Sequence, residues 1–455
     1  MFQKILIANR GEVAVRIERT CRRLGIASVA VYSDADAQAL HVENADAAVR
    51  LGEAPLGKSY LNRSALLDAI RQSGADAVHP GYGLLSENAE FAASVRALGV
   101  AFIGPETSVL ETFGDKLAAR ALARSLGIEA PPGTEQAIDP ADGAGTLAAG
   151  RAVGLPLIVK AAGGGGGIGM VRVDDFAQLA QAATTCSERG AAAFGNPRVY
   201  LERYLERPRH IEVQILCAGR GRGWAFGERE CSVQRRHQKL IEESPSPAAF
   251  LAQRGARQRL WLSALELVSS QPYVGLATVE FIVDQQGVPY FLEVNPRLQV
   301  EHGISELVFG VDLVELQLRV TSGEEIELPE LSSVGHAIEV RLYAEDPERA
   351  FMPQPGLLEE FSFPTQDASF RVDTGFRAGD TITPHYDPLL AKVMAHGATR
   401  HDAIERLLAG LRETRVTLTG KTGPKRTNLP LMLQVAGGDK FRSGDYTTHL
   451  LEEPA

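Results

Sequence analysis

Apolar and polar positions alternate along residues 277–284 and again along 289–295, with Gln285-Gln286-Gly287-Val288 between them. β-Branched and aromatic residues fill the apolar places, and the glycine-containing middle is a turn signal, so the pattern predicts a β-hairpin. A turn centred near Gln286 and Gly287 places Glu280 opposite Glu293. Like charges in that arrangement destabilise a strand pair. A hard cation between them removes the conflict, because Mg2+ takes carboxylate oxygens and completes its shell with phosphates. Asn295 follows Glu293 by two residues and shares its face. Arg297 and Gln299 continue that parity, followed by Glu301 and His302. The plainer alternative is a solvated strand face, since antiparallel sheets often show exposed alternation.

Further upstream, short apolar strands at 4–8, 28–32, 77–79 and 101–104 alternate with helical patterns such as 13–24. This rhythm predicts a parallel sheet with helices on both faces over residues 1 to about 110. The first strand-to-helix turn reads Asn9-Arg10-Gly11-Glu12, which lacks the dinucleotide fingerprint. Residues 79–88 form a glycine-bearing loop after a strand, which read alone could be only a turn. Lys116 opens a helix led by Asp115. Two strands, 155–160 and 171–173, enclose a glycine run at 163–167 whose amides can approach phosphates closely, with Lys160 adding a point charge. A flexible linker is the alternative. Residues 199–205 form a strand, and 207–215 another that carries His210. The densest polar stretch, 228–243, would ordinarily be a solvated charge run. An amphipathic helix is expected over 306–319, a strand over 336–346, several short strands over 353–386, a helix over 401–412 and an irregular segment over 419–426.

Composition narrows the class. A chain of 455 residues with 23% charged and 44% hydrophobic positions is a globular protein of two or three domains. A formal charge of −10 argues against nucleic acid as a partner while permitting local basic pockets. The four cysteines are too scattered for a metal pattern and suit free thiols in a reducing compartment. No apolar run reaches the roughly 18 residues of a membrane span, and no signal peptide is legible, so a cytoplasmic enzyme without membrane partners is expected.

The order Glu280, Glu293, Asn295, Arg297 resembles the metal and phosphate site of ATP-grasp ligases, and the run from Glu293 to His302 resembles biotin carboxylase in particular. The 79–88 loop, the 228–243 stretch and the remaining motifs follow in family order. The resemblance implies an α/β and α+β chain. Its parts are an N-terminal doubly wound domain (1–112), a first ATP-grasp half (113–205) with a mobile lid at about 131–203, a second half (206–330) and a C-terminal domain (331–455), the body being antiparallel sheet. It implies Mg2+ or Mn2+ on Glu280, Glu293 and Asn295. ATP would meet Lys116, Lys160, Gly165, Gly166, Gly167, Glu202, Arg203, Leu205, His210, Gln234 and His237, as well as Glu280 and Glu293. Bicarbonate would lie against Lys239, Arg297, Gln299 and Val300, biotin against Arg341 and Tyr82. Glu301 would be the general base if its surroundings tune its pKa, with Lys239, Arg297 and Arg341 as the other catalytic groups.

The implied reaction spends MgATP on bicarbonate and carboxylates biotin. No biotinylation motif occurs in the sequence, so biotin is expected on a separate carrier protein, with carboxyltransferase partners and a homodimeric assembly. Another ATP-grasp ligase joining a carboxylate to an amine, or a non-catalytic nucleotide-binding module, are the alternatives. Ile168, Gly303 and the segments at 372–375 and 386–392 lean toward the urea-carboxylase branch, while His237 points the other way.

Overall fold

The structure, a computed structural model, describes residues 1–164, 167, 169–421 and 423–452. The expected Gly165 and Gly166 contacts, and Ile168, lie outside the described residues.

The first sheet is fully parallel. It consists of β1 (Lys4–Ile7), β2 (Ala27–Ser33), β3 (Ala47–Gly52), β4 (Ala77–His79) and β5 (Ala101–Phe102), in the order β3-β2-β1-β4-β5. The helix α1 (Gly11–Leu24) follows β1 and caps on Gly25 in the left-handed conformation. The strand β3 is missing from the hydrophobic pattern because it is an edge strand with half of its residues exposed, Arg50 among them. Asn9, at the end of β1, donates from Nδ2 to the carbonyls of Pro80 and Tyr82, each at 2.8 Å. This contact seats the 79–88 loop. Gly81 has φ +63°, and a Cβ there would come within 2.8 Å of the Asn9 amide, so the close approach itself requires glycine.

The glycine-rich hairpin lies where the alternation places it. β6 (Leu157–Ala161) pairs antiparallel with β7 (Met170–Val173) on one side and β8 (Val199–Arg203) on the other. Leu157, Val159, Val173, Leu179, Ala183 and Val199 give this small unit its own core.

The body is an eight-stranded antiparallel sheet ordered β13-β12-β9-β10-β11-β14-β20-β18. Its first five strands in the chain are β9 (Arg209–Ala218), β10 (Gly223–Arg235), β11 (Gln238–Ser244), β12 (Val274–Val283) and β13 (Pro289–Asn295). Then come β14 (His336–Tyr343), the short β15 (Glu345–Asp346) and β16 (Met352–Pro353), β17 (Gly356–Ser362) and β18 (Phe370–Thr374). β19 (Thr381–Ile382), β20 (Leu389–Gly397), β21 (Arg415–Gly420) and β22 (Gly423–Lys425) complete the chain, with β19-β17-β21-β22 forming a separate sheet. The large sheet runs without interruption across residue 330, because β11 pairs with β14.

Two expectations change. The single helix over 306–319 is two helices, His302–Phe309 and Leu313–Thr321, because Gly310 ends the first in the left-handed conformation and Asp312 caps the second. The irregular 419–426 segment is the β21–β22 hairpin, with Thr422 outside the described residues.

Candidate active site

In the hairpin of β12 and β13 Glu280 is directly paired to Glu293 as expected, but a bulge between Glu280 and Phe281 shifts the register by one toward the turn, where Phe281 faces Phe291. Asp284 Oδ1 accepts from the amides of Gln286 and Val288 at 2.9 Å each, and Gly287 takes φ +81°. The two carboxylates meet different cations. Lys116, at the start of the helix capped by Asp115, pairs with Glu293. Glu280 is held by Lys239 at 2.9 Å, by His210 at 2.9 Å and by the Asn295 amide at 3.0 Å. Burial works to raise the Glu280 carboxyl, but Lys239 and His210 outweigh it and keep it far below the usual carboxylate range.

The regular strand stops at Asn295, yet Arg297 and Gln299 still converge on it. Arg297 donates to Asn295 Oδ1 at 2.9 Å and to Gln299 Oε1 at 3.1 Å, and Gln299 Nε2 reaches Glu280 Oε1 at 3.3 Å. Arg297 Nε also donates at 2.6 Å to Glu87, from the loop that Asn9 seats. That loop therefore belongs to the site rather than being only a turn.

The polar stretch 228–243 is the opposite of a solvated run. It forms most of β10 and β11, and its glutamates at 228, 230, 242 and 243 are buried, as is Arg229. At the β10–β11 turn Arg236 and His237 both take positive φ, 45° and 69°. Lys239 Nζ donates to three carboxylates, Glu212 at 2.6 Å, Glu280 at 2.9 Å and Glu301 at 2.7 Å. Arg341 donates to Glu242 at 2.6 Å and to the second oxygen of Glu301 at 3.1 Å. Glu301 has no exposed surface. Burial opposes its ionisation, but Lys239 and Arg341 prevail and hold it well below the usual range. Its tuning is downward, toward a firmly ionised carboxylate. Glu242 lies directly opposite Glu339 across β11 and β14, both buried. Burial pushes Glu242 up to about 7 despite Arg341, and lifts Glu339 well above its ordinary value.

The remaining expected residues fall in two groups. On the side of the small three-stranded sheet, Lys160 and Arg120 both pair with Glu202, while Arg203 donates to the Leu155 carbonyl at 2.6 Å and Leu205 lies half-buried just beyond β8. Gln234 approaches His210 at 3.5 Å. Gly167, with φ +76°, comes so near the β10–β11 turn that a Cβ there would be 2.9 Å from the His237 ring. At the other end, Tyr82 donates to Glu12, and the Val300 carbonyl accepts from Lys392 at 2.8 Å. Gly303 leaves room for Met394, whose sulfur would lie 2.5 Å from a Cβ at that position.

Sequence reasoning did not select Glu12, Glu87, Glu212, Arg229, Glu242, Glu339 or Lys392. Glu212 had a signal, since it follows His210 by two residues on a strand and must share its face. For Glu87, Glu12 and Lys392 no local pattern exists. As a test of cation fit, two carboxylates paired across the hairpin and an amide oxygen on the same face make a hard oxygen-donor set, and Glu280 also lies with Glu212 and the borderline nitrogen donor His210 in a cluster whose ligand atoms are within 4.8 Å.

Three family models cover nearly all of the chain. They are the biotin carboxylase N-terminal domain over residues 1–110, the ATP-binding domain of the carbamoyl-phosphate synthase L chain over 115–329, and the biotin carboxylase C-terminal domain over 339–453. Biotin carboxylase 2 of Bacillus subtilis is 44% identical over 455 residues, covering 100% of each chain. The biotin carboxylase domain dimer of Hydrogenobacter thermophilus 2-oxoglutarate carboxylase, solved with MgADP and bicarbonate, superposes with a TM-score of 0.94. It is 35% identical over 99% of this chain and 97% of that one. A Campylobacter jejuni biotin carboxylase in a β,γ-ATP complex gives 0.93 at 36% identity, covering 99% of both. With 44% identity to one such enzyme over the full length of both chains, and with paired carboxylates and clustered cations assembled on the same fold, this chain belongs to the biotin carboxylase family of ATP-dependent ligases.

Proposed function

We propose that the chain uses MgATP and bicarbonate to carboxylate biotin held on a separate carrier protein. The observation that supports this most directly is the placement of Lys239 and Arg341 on Glu301, with Arg297 on Asn295, beside the Glu280–Glu293 pair. Glu280 and Glu293, with Asn295, would hold the divalent ion, which supplies charge neutralisation at the β- and γ-phosphates. Lys116 and Lys160 spread phosphoryl charge, and Gly167 brings lid backbone to the same place. Glu202, Arg203, Leu205, His210, Gln234 and His237 would receive the nucleoside.

Bicarbonate is a small planar anion and suits the Arg297 fork with Lys239, Gln299 and the Val300 amide. When it draws Lys239 away from Glu301, the carboxylate loses part of what depresses it and gains basicity. Glu301 then takes the bicarbonate proton while the freed oxygen attacks the γ-phosphorus and ADP departs, giving carboxyphosphate. Carboxyphosphate then splits to CO2 and phosphate, and the phosphate takes the ureido proton of biotin. The ureido nitrogen attacks the CO2 while Arg341 stabilises the oxygen charge that develops, with Tyr82 as the other biotin contact. We take the four units to divide near residues 112, 205 and 330. We place the enzyme in the cytoplasm as a homodimer served by carrier and carboxyltransferase partners. Among the described residues no helix is long and apolar enough to cross a membrane.

The test is ADP formation measured with and without bicarbonate and free biotin. Turnover that rises with both supports the reading, whereas turnover indifferent to bicarbonate but driven by an amine favours a carboxylate-amine ligase.

A further inference from the structure

Lys392 ends the segment 386–392, for which the chemistry above has no use. It sits on β20 with no exposed surface, where an uncompensated ammonium is not tolerated. Compensation comes from three directions. Its Nζ lies 2.7 Å from Glu12 Oε1 at the start of α1, donates to the Val300 carbonyl at 2.8 Å, and lies 3.9 Å from Asp373 Oδ2 on β18. The other oxygen of Glu12 accepts the Tyr82 hydroxyl. Lys392 is also directly paired with Arg341 across β14 and β20. Burial opposes its charge, but Glu12, Glu339 and Asp373 outweigh that and keep it protonated. The Val300 carbonyl belongs to the same peptide unit as the Glu301 amide. A group that fixes that oxygen therefore fixes the backbone from which Glu301 reaches Lys239 and Arg341.

We propose that Lys392 is a positioning residue for the carboxylation site, setting Glu301 through the Val300 carbonyl and Tyr82 through Glu12. One buried ammonium thereby holds the base-bearing turn and the N-terminal loop in register, although the two do not touch it from the same element. The inference rests on the proposed reaction. A displacement of about 1 Å at such a site costs on the order of 100-fold in rate.

The experiment compares wild type, Lys392→Met and Lys392→Arg for kcat and for KM toward ATP, bicarbonate and free biotin. Lys392→Met is expected to lower kcat/KM for bicarbonate about 100-fold while KM for ATP stays within about two-fold. Lys392→Arg, which can still donate to both partners, should recover about ten-fold of that loss. Equal losses toward ATP and bicarbonate, or an arginine variant no better than methionine, would show a packing role and overturn the proposal. If Lys392→Met does not fold, Glu12→Ala serves instead: it removes the acceptor of the Tyr82 hydroxyl while the ammonium keeps Val300 and Asp373, so KM should rise for biotin more than for bicarbonate. A bicarbonate effect as large as the biotin effect overturns it. Wild type without bicarbonate-dependent ADP formation overturns the functional reading and this inference together, whereas an active wild type with an indifferent Lys392→Met overturns this inference alone.

Discussion

Replacing Glu301 with glutamine separates base chemistry from nucleotide binding. The amide keeps the shape and one acceptor oxygen for Lys239, which in any case retains Glu212 at 2.6 Å and Glu280 at 2.9 Å. Its NH2 then faces Arg341, which needs an acceptor but keeps Glu242 at 2.6 Å. The structural loss is one charged hydrogen bond of 3.1 Å, worth about 1–3 kcal/mol, so the variant should fold. Loss of a positioned base costs about 100- to 10,000-fold in rate, or roughly 3–5 kcal/mol of barrier. Lys116, Glu293 and His210 are untouched, so MgATP should bind nearly as in wild type. The pH dependence has a definite sign. Because Lys239 and Arg341 hold Glu301 below the ordinary carboxylate range, it is ionised throughout neutral pH, and its activity should fail only on the acid side. That acid limb should vanish in Glu301→Gln. Calorimetric MgATP binding, beside bicarbonate-dependent ADP formation from acid to neutral pH, measures both halves. Turnover within a few-fold of wild type, with its acid limb intact, would refute the base assignment.

Three further outcomes are expected. Glu18 on α1 is 1% exposed, both its oxygens lack a hydrogen-bond partner among the described residues, and burial pushes it up to about 8. A raised carboxyl is protonated in the native state, so wild type should lose stability relative to Glu18→Gln as pH rises from 4.5 toward 8. The bound is about 1.4 kcal/mol per pH unit, and urea midpoints that run parallel across that window would contradict it. Gly375→Ala should destabilise by about 3 kcal/mol or more, because its Cβ would lie 2.4 Å from the Gly11 carbonyl carbon and 2.5 Å from the Glu12 amide, backbone that cannot step aside. An unchanged melting temperature would show that this contact yields. For the final acceptor we expect an amide or urea-like compound, tested by reconstitution with separately supplied carrier and carboxyltransferase. Efficient transfer to acetyl-CoA with none to amides would reverse that choice and leave the first half-reaction standing.

Local rules went furthest where partners are close in the chain. The Glu280–Glu293 pairing was expected from strand parity and one glycine turn, and it holds because a bulge after Glu280 absorbs a one-residue offset of the turn-side register that no local pattern showed. The parallel N-terminal sheet was legible from its buried strands, but β3 was not, since an exposed edge strand carries no apolar run. The helix break at Gly310 and Asp312 was written in the residues and outweighed by an apolar stripe that continues through it. Burial of the 228–243 stretch could not be read locally, because its charges are neutralised by partners far along the chain, such as Arg400 for Glu243 at 2.6 Å and Arg341 for Glu242. The same holds for Glu87 on Arg297 and for Lys392 between Glu12 and Val300, pairs 210, 380 and 92 residues apart. An isolated glutamate or lysine in a sequence has the same chemistry at any position. Only the tertiary fold, by withdrawing it from water and supplying one counter-charge at one distance, makes it part of a site.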